Sequence, residues 1–65
     1  MTVIHKVKEA LRLVREDGWV YDGMVGSHRQ FSHPMKPGRV TIPGKESEDL
    51  APKTWMSILR QAGLR

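Results

Sequence analysis

Apolar residues first recur along the chain at helical spacing and then switch to strict alternation. Val3, Val7, Ala10 and Val14 fall three or four apart, with Ile4 and Leu11 widening the stripe. Lys6, Lys8, Glu9, Arg12, Arg15 and Glu16 occupy mainly the other faces. A period of 3.6 gathers such positions on one side, so the segment predicts an amphipathic helix. Thr2 offers an N-cap oxygen. Gly18 supplies the stop, because glycine enters the left-handed conformation cheaply.

From Trp19 the period shortens to two. "WVYDGMV" and "HRQFSHP" predict two strands and "GRVTIP" a third. Alternation places Phe31 on one side with Arg29 and His33, and His28, Gln30 and Ser32 on the other. In the third strand Val40 and Ile42 share a side, opposite Arg39 and Thr41. Burying Phe31, Val40 and Ile42 against helices leaves His28, Gln30, Arg39 and Thr41 on an outer face. Two turn signals compete in the first hairpin, Asp22-Gly23 and Gly26-Ser27. A turn near Val25 to Ser27 gives two strands of about six residues each and is preferred. Pro34, Pro37 and Gly38 mark the second turn.

"PGKESEDLAPK" is polar and aperiodic, and reads as a loop. It leads into a second helix with Pro52 in its first turn, an apolar stripe of Trp55, Ile58, Leu59 and Ala62, and Gly63 at its end. The expected fold is α+β. Its order is α-β-β-β-α, a three-stranded antiparallel sheet with both helices on one face, forming a single domain over residues 1–65.

Composition narrows the functional classes. With 65 residues, folding buries only about 60% of the unfolded chain's surface, which leaves a thin core and an open site. The chain has no cysteine, so disulfide frameworks and cysteine-based zinc sites are excluded. Three dispersed histidines without paired carboxylates make a poor metal site, and neither metal nor cofactor is expected. Charges interrupt "MTVIHKVKEALRLV" too often for a signal peptide or a membrane span, which points to the cytoplasm and no membrane partner. Eleven basic residues against seven acidic ones, a net charge of +4, favour a polyanion.

The stretch "GSHRQF", Gly26 to Phe31, is where chemistry is to be sought. Histidine exchanges a proton near neutral pH, and a neighbouring arginine can hold a phosphate bidentately. Backbone N–H groups of Gly26 and Ser27 can add a small anion-binding nest. Together they suit RNA cleavage without metal, with His28 taking the proton of a ribose 2′-OH that then attacks the adjacent phosphorus. The plain alternative is a hairpin carrying a solvated histidine. His5 reads as a solvated helix residue and His33, ahead of Pro34, as a turn or packing residue. Trp19 and Trp55 can stack on bases but read as core. Met24, Met35 and Met56 read as core or rim filler.

Five segments in order carry a family likeness: "EDGW" (Glu16 to Trp19), "GSHRQFSHP" (Gly26 to Pro34), "PGRVTIP" (Pro37 to Pro43), "DLAPKT" (Asp49 to Thr54) and "ILRQAGL" (Ile58 to Leu64). Over almost its whole length the chain resembles the HicA family of mRNA interferase toxins. The resemblance implies a double-stranded-RNA-binding-domain-like fold, a catalytic His28, and endonucleolytic cleavage of mRNA that arrests translation. It also implies a HicB-type antitoxin that covers the active face and helps the complex bind operator DNA. Where such sequences often carry basic residues before the motif, this chain has "VYDGMV". The RNA contacts therefore fall to Gly26, Ser27, Arg29, Gln30 and Arg39, with Lys36 and Lys45 as further cations. A non-catalytic RNA-binding module of the same fold is the alternative. Duplex binding would need a basic start to the second helix, but Glu46, Glu48 and Asp49 precede it and Lys53 is its one lysine. No helix-turn-helix pair is visible for a DNA binder, since three strands separate the helices.

Overall fold

The computed structural model describes residues 3–65. Its elements are β1 (His5–Lys6), α1 (Val7–Glu16), β2 (Val20–Val25), β3 (His28–Ser32), β4 (Val40–Pro43), β5 (Asp49–Leu50) and α2 (Pro52–Gln61). Strands β2, β3 and β4 form an antiparallel sheet in sequence order, and β1 pairs with β5 in a separate two-stranded ribbon. This is the expected α+β arrangement with one addition, because the polar loop before α2 contributes β5.

The core is a single cluster. Val7, Ala10, Leu11 and Val14 of α1 meet Trp19, Phe31, Val40, Ile42 and Leu50, and Ile58 and Ala62 close it from the α2 side. Apolar burial of this kind is the main favourable contribution to folding. Both helices pack mainly against β4 on one sheet face. Phe31, Val40 and Ile42 are completely buried there, so the opposite face is open.

Helix α1 starts later than its apolar stripe suggests. Val3 and Ile4 are exposed, and the helix begins at Val7. The Thr2 cap lies outside the described residues. The first orphan N–H groups are satisfied instead by a distant loop: Val7 donates to the Glu48 carbonyl (2.9 Å) and Lys8 to that of Glu46 (3.2 Å). Glu9 reaches back to the Lys6 N–H (3.4 Å), half of a capping box. His5 consequently leaves the helix for β1. There its ring stacks on Trp55 with centroids 3.7 Å apart and accompanies a hydrogen bond from Nδ1 to Glu9 (2.9 Å). The expectation of a solvated helical histidine is corrected by this stack, which ties the start of α1 to α2.

The first hairpin turns at Gly26-Ser27, with Val25 opposite His28. Gly26 has φ +60° and Ser27 is outside the left-handed region, the pattern of a type II′ hairpin turn. Asp22-Gly23 is not a turn. The register shifts between Tyr21 and Gly23, leaving Asp22 as the extra residue of a β-bulge. Of the methionines read as core or rim filler, Met24 and Met35 are exposed and take no part in the core.

Candidate active site

Register fixes what the outer face of the sheet presents. His28 lies opposite Pro43 and Gln30 opposite Thr41, while Arg29 and Phe31 lie opposite Ile42 and Val40 on the helix side. Opposed residues share a face, so His28, Gln30, Ser32 and Thr41 form a polar surface that no helix covers. Thr41 Oγ1 donates to Gln30 Oε1 (2.9 Å), which fixes the carboxamide at the centre of the face.

Arg39 and Asp22 close one end of this surface. The Arg39 Nη1 donates to Asp22 Oδ2 across 2.9 Å, joining β2 to the start of β4. Arg39 stands four residues before Pro43, the partner of His28, and at about 3.3 Å per residue it sits roughly 13 Å from the histidine's end. His28 and Arg39 therefore lie towards opposite ends of the sheet, with the Arg39 guanidinium held by Asp22. Arg29 follows its inward parity, and its Nη1 donates to the Gly44 carbonyl (2.8 Å) at the end of β4. It therefore fixes the loop that leaves the sheet beside His28. Lys45, two residues beyond His28's cross-strand partner, has no ammonium partner among the described residues. Lys36 is engaged elsewhere. The structure thus groups Gly26, Ser27 and His28 at one end of the sheet, with Gln30 in the middle and Arg39 at the far end, while Lys45 lies in the loop after β4 with its backbone N–H on Glu48.

The three histidines are held very differently. His5 is stacked and bonded as described. His33 accepts at Nδ1 from the backbone N–H groups of Met35 (2.9 Å) and Lys36 (3.1 Å), so its Nε2 carries the proton and donates to the Asp17 carbonyl (2.7 Å). Its ring also meets Trp19 edge-on at 5.1 Å. His33 is a structural latch between the end of α1 and the loop after β3. His28 is exposed and has no hydrogen-bond partner among the described residues. No group of three or more histidine, aspartate or glutamate side chains gathers among those residues as a metal site requires.

Around the latch, Lys36 Nζ donates to Asp17 Oδ2 and to the Ala62 carbonyl, while Trp19 Nε1 donates to the same carboxylate (3.2 Å). The Lys36 hydrogen bond holds the Asp17 carboxyl below the usual carboxylate range. A carboxyl whose folded pKa is depressed contributes stability above its unfolded pKa, and that contribution is lost as pH falls through the folded value. Thermal unfolding midpoints followed downward from neutrality should therefore drop below about pH 4, with a shallower acid limb in Lys36→Met. Superimposable acid limbs for the two proteins would contradict this role of the pair.

Comparison with known proteins adds one finding. The family model described as the HicA toxin of bacterial toxin–antitoxin matches residues 7–64. A search of curated proteins finds no match.

Proposed function

Because the chain belongs to the HicA toxin family, which implies an antitoxin partner, we propose that it is a metal-independent endoribonuclease that cleaves mRNA with His28 as general base. The supporting observation is the state of the histidines. His5 and His33 are committed to internal hydrogen bonds, whereas His28 is exposed beside a tight turn and open to a ligand.

In this mechanism the neutral imidazole of His28 removes the proton of a ribose 2′-OH. The 2′-oxygen attacks the adjacent phosphorus, the bond from phosphorus to the 5′-oxygen breaks, and that oxygen takes a proton from imidazolium or water. The products are a 2′,3′-cyclic phosphate and a 5′-hydroxyl. Lys45 and the backbone N–H groups of Gly26 and Ser27 offset charge on the scissile phosphate. Gln30 contacts the RNA along the face. Arg39, already neutralising Asp22, meets a more distant part of the strand, and Arg29 positions the Gly44–Lys45 loop. A HicB-type antitoxin would silence the toxin by covering this face, and operator DNA would be met only through that complex. No helix among the described residues is long and apolar enough to cross a membrane, which is compatible with action on cytoplasmic mRNA.

Incubation with a fluorescent single-stranded RNA, with and without EDTA, tests the reading. Cleavage that survives EDTA is expected. RNA bound but left intact would instead favour a non-catalytic RNA-binding module.

A further inference from the structure

The exposed apolar side chains of the sheet concentrate on one strand. In β2, Val20 is 59%, Tyr21 52%, Met24 53% and Val25 69% exposed. The strand is an outer one, with β3 on one side and no partner on the other among the described residues. The opposite edge of the sheet is closed differently, since the Thr41 N–H donates to Gln61 Oε1 of α2 (2.9 Å). Open edges are usually blunted by lysine, proline, unmatched charge or a β-bulge, and of these β2 has only the bulge at Asp22. β2 contains no lysine or proline, and its one charge, Asp22, is matched by Arg39.

We propose that two copies of this chain pair antiparallel along β2, about a two-fold axis between Asp22 and Gly23. This register sets Val20 against Val25 of the second copy and Tyr21 against Met24 of the second copy. In a regular strand, residues five apart point to opposite faces, and such a register would pair an outward side chain with an inward one. The bulge at Asp22 removes the conflict. Val20 and Val25 lie opposite Ser32 and His28 on the outer face, and Tyr21 and Met24 lie opposite Phe31 and Arg29 on the helix face. "VYDGMV" therefore presents the same apolar pattern from either end, on both faces. Asp22 meets Gly23 of the second copy, so the two carboxylates are not directly opposed.

The result is one continuous six-stranded sheet with both His28 side chains open on the same side, roughly 20 Å apart by strand spacing and rise. Few residues take part, which places the association in the weak class. The pairing stands independently of the ribonuclease reading.

Sedimentation equilibrium of the full chain from about 10 µM to 1 mM is the first test. A concentration-dependent dimer is expected, lost in Met24→Lys. The chain has no cysteine, so mild oxidation of a Val20→Cys, Val25→Cys double variant tests the register. Opposed Cα atoms about 5 Å apart are within disulfide reach. The double variant should yield a covalent dimer and each single variant none. Circular dichroism checks that these exposed substitutions leave the fold intact. A monomer throughout the range overturns the proposal, as does equal cross-linking by the single variants. Protection of the edge only when a different protein, such as the antitoxin, is added also overturns it.

Discussion

Replacing His28 with alanine is expected to lower the rate of RNA cleavage by about 10² to 10⁴-fold, the usual worth of a positioned general base. Thermal unfolding and RNA affinity should be close to those of the parent. The side chain is exposed and has no hydrogen-bond partner among the described residues, so its removal leaves no cavity and no orphaned polar group. A solvated ornament on a hairpin would give no change in rate at all. His33→Ala, in contrast, should lower stability, and any activity it loses should return at lower temperature, where the fold is restored. Equal cleavage by the parent and His28→Ala would remove His28 from the mechanism. RNA affinity in both forms should fall steeply with salt, because phosphate contacts release counterions.

Gly18→Ala is expected to be the most damaging small substitution in the fold. Gly18 has φ +100°, and a Cβ there would stand 2.8 Å from His33 Nε2. Positive φ alone costs a side chain about 1–2 kcal/mol. His33 cannot simply swing away, since three hydrogen bonds and the edge of Trp19 hold its ring. Losing the Asp17 bond adds about 1 kcal/mol. The sum, about 2–3 kcal/mol, is a large share of the total expected for a domain this small, roughly 3–10 kcal/mol. The clash has one partner, which makes the attribution checkable. With His33→Ala already present, Gly18→Ala should cost only its backbone strain, and the two substitutions should be less than additive in urea unfolding. Full additivity would show that the collision with His33 is not the cause.

Local signals carried most of the fold. Phe31, Val40 and Ile42 were legible as inward positions from parity alone, and the Gly26-Ser27 turn and the Gly18 stop from glycine's conformational freedom. Asp22-Gly23, the turn signal set aside in favour of Gly26-Ser27, forms a bulge, because the dipeptide that favours a turn also accommodates one. The start of α1 was not legible. Its capping partners are the carbonyls of Glu46 and Glu48, some forty residues away, and no window of local sequence contains both. The His5–Trp55 stack was hidden for the same reason.

The candidate site divides along the same line. The outward parity of His28, Gln30 and Thr41 and the inward parity of Arg29 could be read from alternation. That Arg29 holds Gly44 and that Arg39 holds Asp22 depend on how β4 begins and ends and where the following loop goes. An ion pair such as Arg39–Asp22 joins exposed groups, contributes little to stability, and leaves no trace in the spacing of the residues. His33 was separable from His28 by its place before Pro34, and its three hydrogen bonds give the physical reason.

The most direct test of His28 as a base acting on the 2′-OH is the chemistry of the ends it leaves. The purified protein is incubated with end-labelled single-stranded RNA in EDTA, and the fragments are analysed by mass spectrometry. Fragments ending in a 2′,3′-cyclic phosphate and beginning with a 5′-hydroxyl, absent with His28→Ala, are the expected result. Fragments with 5′-phosphate ends, or ends identical in the two proteins, would contradict attack by the 2′-oxygen under His28.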